Sequence, residues 1–372
     1  MGKITDRIVL VLSILAAASL LLSYLAPVIN PARVLIPALL GLAYPYLLLL
    51  NLVFLVYWLI RLKKEILIPL VPVLLGWNHL TSLLPLHFRE INIPQEIPDN
   101  RLIHVLSYNV RGFDVFRWSD HPQVKQGILR LVEEEEPDIV CFQEYYASGN
   151  RGESHTDMAR RLSFLPESAV YYTSDYTNTS GFGIATFSKF PIIKRSRIPF
   201  PTSSNAAMYT DILFRTDTLR VINAHLQSIR FRSEDYAFMD TVRLKHANDQ
   251  MYAIRNIGEQ LRKAFSLRAE QSRIIAHYVR ESPHPVILMG DFNDTPNSYS
   301  YRKIKRGLHD AFQMAGRGFG HTYEGELPSF RIDYILYSNP LRAYQFRRIK
   351  VKYSDHYPIS TWLSTPQNST EQ

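Results

Sequence analysis

Residues 286–294 read VILMGDFND. Four apolar residues, two of them β-branched, predict a short buried strand. The strand then runs directly into Gly290, Asp291, Phe292, Asn293 and Asp294. A buried strand has no structural need to end in two carboxylates and an amide. The pattern recurs along the chain. Asn109 closes IHVLSYNV, Glu144 follows IVCFQ, and His225 follows LRVINA. Asp333 lies inside RIDYILYS, and Asp355 and His356 stand in SDHYPIS, ahead of a last apolar strand.

Each position taken alone admits a plainer reading. Asn109 suits a turn, Glu144 a first solvated position and His225 a satisfied core histidine. Asp291 reads as a turn acid, and Asp294, before Thr295 and Pro296, as a helix-capping one. Asp333 between apolar neighbours resists such a reading, because burying an unpaired carboxylate is costly. Together they point to one acidic metal- and phosphate-binding site, built from strand ends that meet on one edge of a sheet.

Working outward, strands are expected at 103–110, 138–142, 183–187, 192–198, 209–214, 219–224, 331–337 and 359–363. Helices are expected at 124–135 and 269–280, where apolar residues recur with helical spacing. Helices intervene too rarely for a doubly wound parallel sheet. Mixed, mostly antiparallel sheets with helices outside fit better.

The first ~90 residues belong to a different solvent. Residues 8–26, 34–60 and 66–86 are apolar runs of spanning length, the third weakened by Asn78, His79 and its prolines. They predict a membrane anchor of two to three helices over 1–90, a linker at 91–100, and a catalytic domain at 101–372. Arg61, Lys63 and Lys64 between the second and third runs mark a cytoplasmic loop, with Lys3 and Arg7 on the same side. Three spans then place the catalytic domain outside the cytoplasm; two reverse that. Lys and Arg number 42 against 34 acids, a net +8 that suits an anionic partner. A single cysteine, Cys141, rules out an internal disulfide and a cysteine metal cluster.

The segments SYNVRG, FQE, NAHLQS, GDFND, RIDYIL and SDHYPI, in that order, resemble the endonuclease/exonuclease/phosphatase superfamily. The resemblance covers about 250 residues and none of the first ~90. It implies a four-layer α/β/β/α sandwich and metal-assisted hydrolysis of a phosphoester, with Mg²⁺ the usual ion and Mn²⁺ or Ca²⁺ alternatives. Hard divalent cations take oxygen ligands. Glu144 is the expected direct ligand, with Asn109 beside it and Asp355 adding a carboxylate. Asp291 orients or deprotonates the attacking water, with Asn293 on the same water or a phosphate oxygen. His356 contacts a non-bridging oxygen and Asp333 holds its ring. His225 stands on the leaving-group side.

Two departures bear on substrate. Tyr145 and Tyr146 follow the Gln-Glu pair where many nucleases carry a basic or polar residue. Arg111 replaces an acid found in some members; it reads equally as a phosphate contact or a loop brace. The expected substrate is a lipid headgroup, a nucleotide or a nucleic acid; an endonuclease or exonuclease acting on DNA or RNA, and a phosphate-binding protein without catalysis, are the alternatives. No obligate protein partner is evident. Between His225 and residue 286 lies a basic and aromatic stretch, Arg230 to Arg273, read as a lid or membrane-facing surface, as a single-stranded nucleic-acid contact, or as a solvated helical hairpin.

Overall fold

Ile139, Val140, Cys141 and Phe142 face alternately to the two sides of one strand. Ile139 and Cys141 pack with Val221, Ile287 and Met289 of a facing sheet. Val140 and Phe142 pack with Ile128, Leu131 and Val132 of the helix Val124–Glu135. One strand thus serves two cores, the signature of stacked sheets with helices outside.

The computed structural model describes residues 2–366 apart from 88, 120–122, 150–153, 174–180, 202, 204, 230–246 and 326–329. It divides into two units. The larger comprises Pro85–Ser228, Gln271–Asn293 and Ile304–Gln372. Its strands are β1 (Leu102–Asn109), β2 (Ile139–Ala147), β3 (Glu167–Tyr172), β4 (Gly181–Ser188), β5 (Ile192–Ile198), β6 (Ala207–Phe214), β7 (Asp217–His225), β8 (Val286–Asp291), β9 (His309–Asp310), β10 (Asp333–Tyr337), β11 (Arg342–Arg348) and β12 (Ile359–Ser364). They form two sheets, in the orders β11-β12-β1-β2-β4-β3 and β5-β6-β7-β8-β10-β9.

Among the described residues two pairings are parallel, β1 with β2 and β7 with β8, and the rest are antiparallel. Each parallel pair needs a crossover. Helix Val124–Glu135 provides the first; the second passes through the helix Ala247–Arg280. The mixed, mostly antiparallel α/β sandwich expected from sequence is therefore observed. β3, β9 and β11 are three strands not anticipated.

The other unit comprises Met1–Leu84, Ile229–Glu270 and Asp294–Lys303. Among its described helices, only the stretch Ile4–Ser23 is by itself long and apolar enough to cross a membrane. Ile36–Leu42 with Tyr44–Ile60, and Lys64–Leu75 with Trp77–Leu83, qualify only as pairs, bent by 70° and 62°. The apolar run at 34–60 is thus broken into two helices. Pro45 occupies the first turn of its second half, where a missing N–H costs nothing. Asp6 ties the start of the first helix to the end of Tyr44–Ile60, accepting from Tyr57 at 2.7 Å, Arg61 at 3.0 Å and Lys63 at 2.6 Å.

Asp294 caps no helix. Tyr299–Lys305 begins later, with the Ser298 hydroxyl accepting from the Tyr301 amide at 3.1 Å. Asp294 is instead buried 3.5 Å from the equally buried Arg268. The second half of the insertion is one long helix, Ala247–Arg280. Arg230, Phe231, Arg232, Tyr236, Phe238, Arg243 and Lys245 lie outside the described residues.

Candidate active site

Strand polarity brings the polar residues together. The C-terminal ends of β1, β2, β7 and β8 carry Asn109, Glu144, His225 and Asp291, and His225 pairs directly with Asp291 in the β7–β8 register. β10 runs antiparallel to β8, so its first residue, Asp333, stands opposite Asp291. β12 runs antiparallel to β1, which returns the preceding Asp355–His356 segment to the same end.

Asp291 is the hub. Its carboxylate accepts from Asn109 Nδ2 at 2.9 Å, from the Asn293 amide at 2.8 Å and from Asn293 Nδ2 at 3.2 Å. His225 Nε2 lies 3.6 Å away and His356 Nε2 3.7 Å. His356 Nδ1 donates to Asp333 Oδ2 at 2.9 Å. Glu144 Oε1 is 3.4 Å from Asn109 Nδ2 and 3.7 Å from His225 Nε2. At the rim, Asp355 lies 3.5 Å from Arg111 Nε. All nine residues singled out from the sequence thus fall in one linked cluster.

Burial sets the charges. Asp291 is fully buried, and desolvation pushes its carboxyl up to about 6 against the pull of His356. Burial alone would discharge His356, but Asp333 and Asp291 outweigh it and raise the imidazole well above its ordinary value. Glu144 is raised by burial and then by the like charge of Asp355. Two acids that repel one another beside an amide oxygen are a donor set that suits a hard divalent cation. Asp291, Asp333 and His356 also offer ligand atoms within 4.8 Å of one another. That trio is the poorer cation site, because Asp333 is engaged by Nδ1 and a protonated imidazole has no lone pair to give.

The backbone is bent to aim these groups. Glu144 interrupts the β2–β4 register and has φ 51°, a left-handed conformation for a side-chain-bearing residue inside a strand. Asn293 has φ 51° as well. Such conformations cost on the order of 1–3 kcal/mol each and collect at functional sites. Gly290, at φ 152°, lets β8 approach β7; a Cβ there would collide with the Ala224 carbonyl oxygen.

The sequence reading passed over the residues underneath. Gln143 Nε2 donates to Asn223 Oδ1 at 2.8 Å, and Asn223 Nδ2 donates to the Phe142 and Ala185 carbonyls at 3.1 and 2.9 Å. This fully buried brace joins the two sheets one residue before Glu144 and two before His225. Ser354 Oγ donates to the Asn109 carbonyl at 2.8 Å, and Thr322 Oγ1 accepts from the Ile332 and Asp333 amides. The one available signal was polarity inside apolar strands, as at Asn223 in RVINA.

Residues 106–356 match the model of the endonuclease/exonuclease/phosphatase family. The chain belongs to that family. Members hydrolyse phosphoester bonds, generally with a divalent metal. A second model, for a domain of unknown function, matches residues 6–83. No curated protein matches in sequence. Among solved structures, a humanized TDP2 from D. rerio aligns with TM-score 0.52 at 17% identity, over 71% of this chain and 100% of that one. The human Nocturnin catalytic domain with bound sulfate aligns with TM-score 0.52 at 16% identity, over 75% and 97%. An endonuclease/exonuclease/phosphatase from Bacteroides vulgatus gives 0.52 at 15%, over 71% and 99%. At these identities the likeness concerns the fold.

Proposed function

We propose that this protein is a membrane-anchored hydrolase that cleaves a phosphoester by attack of water on phosphorus, with Mg²⁺ as its ion. The observation that carries the reading is the buried Asp291 carboxylate, with Asn109, Asn293, His225 and His356 all within 3.7 Å. Glu144, Asn109 and Asp355 would hold the metal, which supplies Lewis-acid polarisation of a phosphoryl oxygen when bound. Mn²⁺ and Ca²⁺ suit the same oxygen donors.

Asp291 takes the proton of the attacking water, and the Asn293 amide orients that water. His356, protonated and held by Asp333, donates a hydrogen bond to a non-bridging oxygen and offsets the charge that grows there. His225 delivers a proton on the leaving-group side. Arg111, paired with Asp355, borders the phosphate.

Residues 1–90 form the anchor, 91–100 the linker and 101–372 the catalytic domain. The anchor crosses three times, with the bent pairs as the second and third spans. The Asp6 contacts to Tyr57, Arg61 and Lys63 support a common side for residue 6 and residues 61–63. The catalytic domain then lies outside the cytoplasm, and a reporter fused after residue 100 tests the side.

The chemical test uses the full chain in nanodiscs with bis(p-nitrophenyl) phosphate. Turnover that disappears with EDTA and with Asp291→Ala is the expected result. Turnover indifferent to both, or none on any phosphoester, overturns the reading.

A further inference from the structure

The loop that follows Asn109 is built at unusual conformational cost. Arg111, Phe113, Asp114 and Arg117 all have positive φ, between 46° and 58°, around Gly112 at 64°. Left-handed conformations of residues with side chains persist only where the surroundings enforce them. Here Phe113 is buried edge-on against Phe142 and Tyr145. Asp114 clasps the other end, accepting from the Ser119 amide at 3.1 Å and its hydroxyl at 2.8 Å. Between these anchors the loop holds Phe116 and Trp118 outward, 61% and 46% exposed.

These rings are not isolated. Phe116 stacks on Phe182 at 5.8 Å and meets Trp118 at 5.1 Å, and Phe182 meets Tyr146 at 5.0 Å. Beyond residue 86, the described chain exposes five large apolar side chains, Phe116, Trp118, Ile193, Met314 and Phe319. Two of the five thus project from one strained loop that directly follows Asn109. A soluble surface has no use for such a patch; a partner does.

We infer that loop 110–119, with Phe182 and Tyr146, is a membrane-docking surface that seats the active site on a phospholipid bilayer. Naming the substrate class as a phospholipid phosphoester rests additionally on the phosphoesterase reading above. Aromatic rings flanked by arginines are the side chains that settle at the bilayer interface, with the exposed Arg117 available to anionic headgroups. The chain also carries the apolar helix Ile4–Ser23, long enough to keep it at a membrane. A nucleobase platform is the less suited alternative. Phe116 already lies on Phe182 with ring planes 15° apart, and Arg111 covers Trp118 at 5.0 Å, so one face of each ring is withdrawn from stacking on a base.

The protein's own chemistry provides a clean probe. Its single cysteine, Cys141, is fully buried, with the thiol pushed up to about 12, so an introduced cysteine labels selectively. Spin label is placed at Phe116→Cys and, as a reference, at Ile193→Cys, 57% exposed on β5. The full chain is studied in nanodiscs of phosphatidylcholine and phosphatidylglycerol. The label at 116 is expected to relax with oxygen and to be shielded from a water-soluble nickel chelate at least about threefold better than the label at 193. Equal nickel access at both positions overturns the inference. So does protection of position 116 by added single-stranded DNA and not by lipid. Phe116→Ser should keep its hydrolysis of bis(p-nitrophenyl) phosphate. A parallel loss there assigns the ring to the site's integrity and also overturns docking. Absence of metal-dependent hydrolysis in the unsubstituted protein counts against the phosphoesterase reading and leaves the accessibility result to stand by itself.

Discussion

Asn109 and Asp291 are 182 positions apart in the chain, yet Asn109 Nδ2 donates to Asp291 Oδ2 over 2.9 Å. The bond joins the end of β1 in one sheet to the end of β8 in the other. It makes Asp291 common to both halves of the sandwich, and most testable consequences pass through that carboxylate.

Replacing Asp291 with Asn should separate stability from activity. Burial raises this carboxyl from 3.8 to about 6, so holding it ionised at neutral pH opposes folding by up to about 3 kcal/mol. Asp291→Asn is expected to raise the thermal midpoint of the metal-free protein while cutting turnover on the order of 10²–10⁴-fold. Calorimetry beside an activity assay checks both. A lower midpoint with turnover intact contradicts the assignment.

The same shift fixes the sign of the pH dependence. Between pH 3.8 and about 6 the native state holds a proton at Asp291 that the unfolded chain has lost. Its contribution therefore favours folding below that window and fades as pH rises through it, the reverse of a salt-bridged aspartate. Activity runs the other way, falling about tenfold per unit below about 6 as the base is protonated. Kinetic pH profiles should also show a second, alkaline limb, since the raised His356 must keep its proton.

Asp333→Asn removes the carboxylate that holds His356 Nδ1 at 2.9 Å. The imidazole should lose its proton more easily, so the alkaline limb moves to lower pH and maximal turnover drops on the order of 10²-fold or more. A profile that falls in height with the limb unmoved argues that Asp333 acts only on structure.

The inter-sheet brace gives a prediction about folding. Asn223→Ala removes the side-chain partner of the buried Phe142 and Ala185 carbonyls and leaves Gln143 Nε2 with only its 3.3 Å bond to the Cys141 carbonyl. Each abandoned group costs about 1–3 kcal/mol, so a loss of at least about 2 kcal/mol is expected from urea unfolding. Turnover should fall with it, because Glu144 and His225 lose their shared support.

Much of this was legible from residue order. Asp291, Asp333 and His356 declared themselves because carboxylates and imidazoles rarely sit at the ends of apolar strands without a task. Strand identity followed from alternation, as in Ile139–Phe142. What stayed hidden depends on tertiary contacts. Glu144 has no local signal for its left-handed bulge, since nothing in FQEYY resembles the glycine such a conformation favours. Asp294-Thr295-Pro296 looked like a helix start, but the pairing with distant Arg268 prevailed. The apolar run at 34–60 concealed its 70° bend, because hydropathy does not register where a proline falls within a turn. Exposure of Phe116 was equally invisible, because DVFRWS alternates charged, polar and aromatic residues with no period that assigns a face.

Strand order carries a temporal implication. The penultimate position of one sheet belongs to β12, wedged between β11 and β1, although it comes last in chain order among the described strands. Asp355 and His356 come to rest only when that insertion occurs, after residues 359–364 have emerged. A chain in which residues 359–364 have not yet paired therefore lacks two members of the cluster around Asp291, and the site is completed only with the sheet.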